Sequence, residues 1–313
     1  MPAKDPTTVT NNKKPVFSGN FFLLSSNFKE FNDNIINCSR NNIYLLHSLC
    51  TYTDITQITG KSGCIYFSCQ SSIVQDRFCS VKCCTTESGL HSYTYIHTET
   101  QKNFVNLSSL YQCGDSKNGD GTLSHSYGNK TFISTNISNT MCKNEACFYF
   151  GAYGAKINYC YFMSNQNHYD YCKYMYGFAV PDSFITQSIF KNNSFKNGDY
   201  GTLLEIILES NLIISECIFL ENILEHTFVA SERSSLSLIN CIVDRFLLYY
   251  DIAIIQTSKI KTNKLKLELS FLSLKKCQGK NPFIFEYPLT PSIKKKKRFP
   301  FILILESFLH VKK

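Results

Sequence analysis

Asn211-Leu212-Ile213-Ile214-Ser215-Glu216-Cys217-Ile218-Phe219-Leu220-Glu221-Asn222 is followed by Ser235-Leu236-Ser237-Leu238-Ile239-Asn240-Cys241-Ile242-Val243-Asp244-Arg245-Phe246. Each passage runs apolar residues in near-alternation into Cys-x-Phe or Cys-x-Val and then stops on a polar residue. The spacing from Cys217 to Cys241 is 24 residues. Near-alternation is the period of a half-buried strand. A strand phrase that recurs every roughly 20–50 residues marks a solenoid.

The phrase continues outward from there. Phe104–Leu110, Phe132–Ile137, Ile157–Phe162, Phe184–Phe190, Leu212–Phe219, Leu236–Val243 and Leu265–Phe271 align on Ser108, Thr135, Cys160, Ser188, Cys217, Cys241 and Leu269. The intervals are 27, 25, 28, 29, 24 and 28 residues. Cys64–Cys69 reads as an earlier strand. Stacking each strand on its equivalent one coil away, about 4.8 Å distant, turns equivalent side chains into ladders. One ladder is then Cys160, Ser188, Cys217 and Cys241, and a second is Phe162, Phe190, Phe219 and Val243 with ring on ring. Asn165, Asn193 and Asn222 share a turn position, where an Asn ladder is expected because Asn tolerates the left-handed region. Leu203–Leu208 with Glu205, Glu209, Glu221 and Glu225 has some helical spacing, but the lack of a clean polar face favours strand.

Composition agrees with an all-β chain. Phe 25 and Tyr 19 beside many Ser, Thr and Asn suit strands and turns. The formal charge is +8, but Lys294–Arg298, Lys312 and Lys313 concentrate it, leaving a body near +2 and no basic surface for nucleic acid. The resulting division is a disordered lead-in over 1–15, an N-terminal cap or irregular first coil over 16–60, a parallel β-helix over 61–275, and a poorly ordered Pro-containing basic and apolar tail over 276–313. Coils run to about 24–29 residues. No secretory h-region and no run of about 18 apolar residues is visible, so localisation is left unknown, with the cytoplasm the expectation for the chain as written.

The units Asn158–Asn165, Gln187–Asn193 and Ser215–Asn222 resemble the single-stranded right-handed parallel β-helix of the pectate-lyase-like superfold. Gly63–Cys69, Val81–Cys84 and Thr135–Asn139 are similar to a large, uncharacterised protist family of Asn- and Ile-rich β-helix repeat proteins, often surface-predicted. The resemblance covers roughly residues 60–250 and implies fold rather than activity.

Chemical signatures are sparse. The Asn-Thr-Asp, Asp-Asp, Gly-His-Gly and Arg-x-Lys motifs that the resemblance would bring for polygalacturonase-like enzymes are absent, and the 11 Asp never stand adjacent. A glycosidase pair such as Asp170 and Asp199 has nothing to select it. Asp115–Gly121 has the flavour of a Ca²⁺ loop, yet Tyr127 falls where a bidentate Glu belongs, and a tight turn is the better reading. Cys79, Cys83 and Cys84, with the pairs Cys64/Cys69 and Cys142/Cys147, suggest zinc, against inward cysteines acting as small hydrophobes. Cys217 and Cys241 fall within disulfide range, but without secretion they are expected to stay reduced. His47, His91, His97, His125, His168, His226 and His310 read as surface or turn residues, and His97-Thr98-Glu99 lacks the Pro-Cys-x-x-Cys of a deaminase. Five Asn-x-Ser/Thr sites are no more than composition supplies by chance.

No catalytic, cofactor-binding or metal residue is assigned, and no cofactor is expected. The function expected is a non-enzymatic structural or interaction protein, binding protein or glycan along an exposed sheet face with tyrosine anchors. The alternatives are a carbohydrate-active enzyme on the same fold and a truncated or degenerate copy. A monomer is expected, without nucleic acid or transmembrane helix. Segment 294–311 offers at most a weak membrane contact or a targeting signal beside its reading as a solvated tail.

Overall fold

A computed structural model of the chain describes residues 15, 20–39, 43–115, 118–143, 148–151, 154–167, 183–195, 201–206, 209–230, 233–250 and 253–260. These residues form strands and turns, with no helix among them, and therefore none long and apolar enough to cross a membrane. The tail, Leu265–Phe271, Asp170, Asp199, Cys147, His168 and His310 lie outside the described residues.

The chain is a parallel β-solenoid. Each coil contributes a strand to a ten-stranded sheet running from Phe21–Leu24 to Ile254–Ser258, then one to a nine-stranded sheet from Asn27–Lys29 to Ile242–Val243. A third position is taken by a five-stranded sheet from Ile36–Cys38 to Phe148–Gly151. Later coils fill it with Thr202–Ile206, His226–Ala230 and Leu248–Tyr250. Strands pair with their equivalents one coil on, as Leu212 with Leu236 and Ile214 with Leu238. The described part of the Leu203–Leu208 segment is accordingly strand, Thr202–Ile206.

The register reaches back beyond the regular spacing that starts at Gly63: Phe21 pairs with Leu45, and Leu45 with Ile73. It departs from the expectation at the other end. Ser235–Ile239 pairs with Ile254–Ser258, only 19 residues on, so Ile254–Ser258 and not Leu265–Phe271 is the next strand of the ten-stranded sheet.

Each of the aligned phrases among the described residues is two strands around a corner. Between Asn211–Ser215 and Ile218–Leu220, Glu216 turns at φ 55°, and its N–H donates to the Ile239 carbonyl at 3.0 Å. Tyr159, Gln187 and Asn240 do the same at φ 56°, 48° and 52°. A left-handed conformation costs an L-residue about 1–2 kcal/mol, and the inter-coil hydrogen bond offsets it at each level. The next residue points inward, and Ser108, Thr135, Cys160, Ser188, Cys217 and Cys241 are all buried there.

The shared property of that ladder is a small side chain with a donor. Ser188 Oγ donates to the Thr186 carbonyl at 2.9 Å, two residues back, and Cys217 Sγ to the Ser215 carbonyl at 3.2 Å. Cys217 and Cys241 also reach the preceding coil, at Ile185 O and Ile214 O, 3.4 and 3.5 Å away. Ser and Cys therefore interchange because both close the corner. Ser26 and Cys50 extend the ladder backwards, and Phe78 interrupts it. The aromatic ladder is also present. Phe162 and Phe190 stack at 4.7 Å and Phe190 and Phe219 at 4.9 Å, with Val243 next in register.

Asn165, Asn193 and Asn222 form a buried ladder at the second corner, but they are not the left-handed residues. Ser164, Asn192 and Glu221, one position earlier, hold φ 54–56°. Each asparagine instead turns its amide along the axis. Asn165 Nδ2 donates to Asn193 Oδ1 at 3.0 Å and to the Ile137 carbonyl at 3.0 Å.

Candidate functional site

The outer side of the five-stranded sheet carries a group of half-buried tyrosines. Ile65–Cys69 and Ser92–Ile96 alternate buried and half-buried residues, so Ile65, Phe67, Ser92 and Thr94 face the core while Tyr66, Tyr93 and Tyr95 face out. Parallel register places Tyr66 beside Tyr93, and the rings stack at 5.6 Å with planes 6° apart. Lys61 Nζ lies 4.5 Å from the Tyr93 ring centre and donates to its hydroxyl at 3.1 Å. That hydrogen bond raises the lysine pKa and holds a cation over the ring. Tyr95 packs edge-on to Tyr127 at 4.9 Å and to His97 at 4.8 Å. The interaction with Tyr127 raises the Tyr95 pKa. The result is a set of rings stacked on one another, with hydroxyl edges outward over adjacent coils. The sequence indicated tyrosine anchors without naming them. The missing signal was the register, since Tyr66 and Tyr93 are 27 residues apart.

A second concentration of polar groups is sealed inside. His47, His91 and His125 are fully buried, which overturns their reading as surface or turn residues. They occupy inward strand or corner positions, His47 bonded through both ring nitrogens and His91 and His125 through one each. His47 Nε2 meets Gln75 Oε1 at 3.2 Å, Gln75 Nε2 donates to Ser92 Oγ at 3.4 Å, and Ser92 Oγ meets His125 Nε2 at 2.8 Å. His91 stacks on Phe78 at 4.4 Å and bonds Ser80 Oγ through Nδ1 at 3.1 Å. Burial pushes His47 down to about 4, His125 to about 3 and His91 well below its usual value. It also lowers buried Lys130 to about 7. These side chains lie in the core, away from solvent. The void nearby, between Leu123, Phe132, Ile157, Cys160 and Phe162, is about 10 Å³ and apolar, room for one water at most.

The cysteines do not converge on a metal. Among the described residues no group of three or more His, Cys, Asp or Glu side chains is placed to hold an ion. Cys83 is buried in the core, while its neighbour Cys84 is half-exposed and reaches Thr56 Oγ1. Cys79 is disulfide-bonded. Burial raises the thiols of Cys64, Cys83 and Cys113, the opposite of what a metal-binding thiolate needs. In the Asp115–Gly121 stretch, of which Ser116 and Lys117 lie outside the described residues, Asn118 N donates to Asp115 Oδ1 at 2.8 Å, and Gly119 and Gly121 take left-handed φ of 76° and 59°.

Carboxylates are spread over corners. Glu30, Asp54, Glu209, Glu216 and Glu221 all sit at left-handed turn positions, and Glu30, Glu209 and Glu221 pair with Lys29, Arg233 and Lys191. Asp76, the most enclosed of the ion-paired carboxylates, accepts from Ser48 Oγ, Arg77 Nε and Asn106 Nδ2 at 2.8–2.9 Å. Its acceptor capacity is used in tying three coils together. Comparison of the chain with protein-family models, with curated proteins and with solved structures finds no match in any of the three.

Proposed function

We propose that this chain is a non-enzymatic binding protein, a β-solenoid of the right-handed pectate-lyase-like kind that engages a glycan along its tyrosine-bearing face. The observation that carries the reading is the pair Tyr66 and Tyr93, stacked at 5.6 Å in parallel register. Rings fixed in this way lose little entropy on binding, and Tyr edges combine apolar contact with a hydroxyl that donates and accepts. A hydroxyl-rich ligand matches that chemistry. Lys61 adds one positive donor at the margin. Contact repeated coil by coil spreads the affinity over an extended ligand, with the stacked tyrosines as anchors. The fold by itself does not supply hydrolysis, which needs two carboxyl groups facing each other across a bond roughly 5–9.5 Å apart.

The test is a glycan array probed with the full chain, followed by product analysis on every glycan that binds. Binding without new reducing ends is expected. Turnover that disappears when a pair of carboxylates is changed to amides would establish the enzyme instead.

A further inference from the structure

We propose that Cys38 and Cys69 are a redox-modification site, two thiols that close to a disulfide tying the first coil to the second. Ile36–Cys38 and Ile65–Cys69 are neighbouring parallel strands, with Cys38 opposite Phe67. Cys69 lies two residues further along, and its sulfur is 3.1 Å from that of Cys38. Both side chains are buried. A disulfide holds its sulfurs at about 2.05 Å, so closure requires an approach of about 1 Å. Diagonal neighbours on a sheet, about 7–8 Å apart, lie beyond the usual span of a bridge, so closure requires the backbone to move. Here, however, each cysteine is the last residue of its strand, where the ladder constrains the backbone least. The two strand ends draw together as the bond forms.

The corner cysteines provide the contrast. Cys50, Cys160, Cys217 and Cys241 direct their sulfurs at backbone carbonyls, two residues back and on the preceding coil. Cys38 and Cys69 bring their sulfurs to each other at 3.1 Å, Cys69 Sγ also reaching the Cys38 carbonyl at 3.5 Å. Their burial confines reaction to moments when Ile36–Cys38, the edge strand of the five-stranded sheet, opens locally.

The oxidant is a small-molecule or protein disulfide. One cysteine, as its thiolate, attacks that disulfide and expels a thiolate, leaving a mixed disulfide on the chain. The second cysteine, also as thiolate, attacks the chain-borne sulfur and expels the other thiolate. The chain loses two protons and two electrons, and the oxidant's S–S bond becomes two thiols. Closing the 31-residue separation between the two positions restricts the unfolded chain and so favours the folded one.

The experiment is equilibration of the full chain in glutathione buffers of increasing oxidised fraction, acid quench, alkylation and peptide mass mapping. The expected result is a linked pair of peptides carrying Cys38 and Cys69, two hydrogens lighter than their sum, with a rise in unfolding midpoint over the same range. Cys38→Ser and Cys69→Ser should each abolish both the link and the rise. Should either variant fail to fold, the mapping of the unaltered chain decides alone. Full alkylation of both cysteines at every poise overturns the proposal, as does pairing of either with a different cysteine or with glutathione alone.

Discussion

The side-chain amide of Asn193 donates to Asn222 Oδ1 on the next coil at 2.9 Å, while its own Oδ1 accepts from Asn165 on the coil before. The same Nδ2 also donates to the Phe162 carbonyl at 3.1 Å. One buried side chain thus satisfies polar groups on both flanking coils.

Asn193→Ala removes these partners together and strands buried donors and acceptors on each side. The cost expected is on the order of 3 kcal/mol. Asn222→Ala should cost less, because Asn222 accepts from Asn193 but is followed by no further asparagine in the ladder. Urea titration of the two variants, read by circular dichroism, orders them. Equal losses would contradict the ladder.

Cys217→Ser should be close to neutral, because Ser188 already occupies the equivalent position one coil earlier and makes the same bond to the carbonyl two residues back. Phe219→Ala, at the end of the stacked rings, is expected to cost about 3–5 kcal/mol. The rings of Phe190 and Phe228, at 4.9 and 5.0 Å, would face the cavity. Thermal unfolding of both variants separates the roles: a corner donor for Cys217 and core volume for Phe219.

Much of this fold was legible because a solenoid writes its register into the sequence. Ser108, Thr135, Cys160, Ser188, Cys217 and Cys241 align by residue type alone, and the structure stacks them. The corner itself was hidden. Glu216 and Gln187 turn left-handed without being Gly or Asn, so no turn residue marked the break between strands. The buried histidines were hidden for a different reason. His47 and His125 are inward because of strand parity, and polar type outweighed parity in reading them. The tyrosine face required knowing that Tyr66 and Tyr93 share a rung, which short-range pattern does not give.

Acid sensitivity follows from those histidines. Their folded values, about 4 for His47 and about 3 for His125, lie below the ordinary 6.5. Below pH 6.5 the unfolded chain binds protons that the folded chain refuses, so stability falls as pH drops through the window from 6.5 towards 4 and 3. Above 6.5 this contribution is fully present. The slope expected is up to about 1.4 kcal/mol per pH unit for each histidine. The double variant His47→Gln/His125→Gln should reduce the pH dependence between 6.5 and 4, leaving the share of buried His91, even with a lower starting stability. An unchanged slope would place the acid response elsewhere.

The binding face is tested most directly by Tyr66→Ala/Tyr93→Ala, titrated against a glycan that binds the unaltered chain, with thermal unfolding measured in parallel. At least a tenfold loss of affinity is expected, about 1.4 kcal/mol or more, with the cooperative unfolding transition retained, since both side chains lie on the outer side of the sheet. Undiminished affinity in a folded double variant would contradict it.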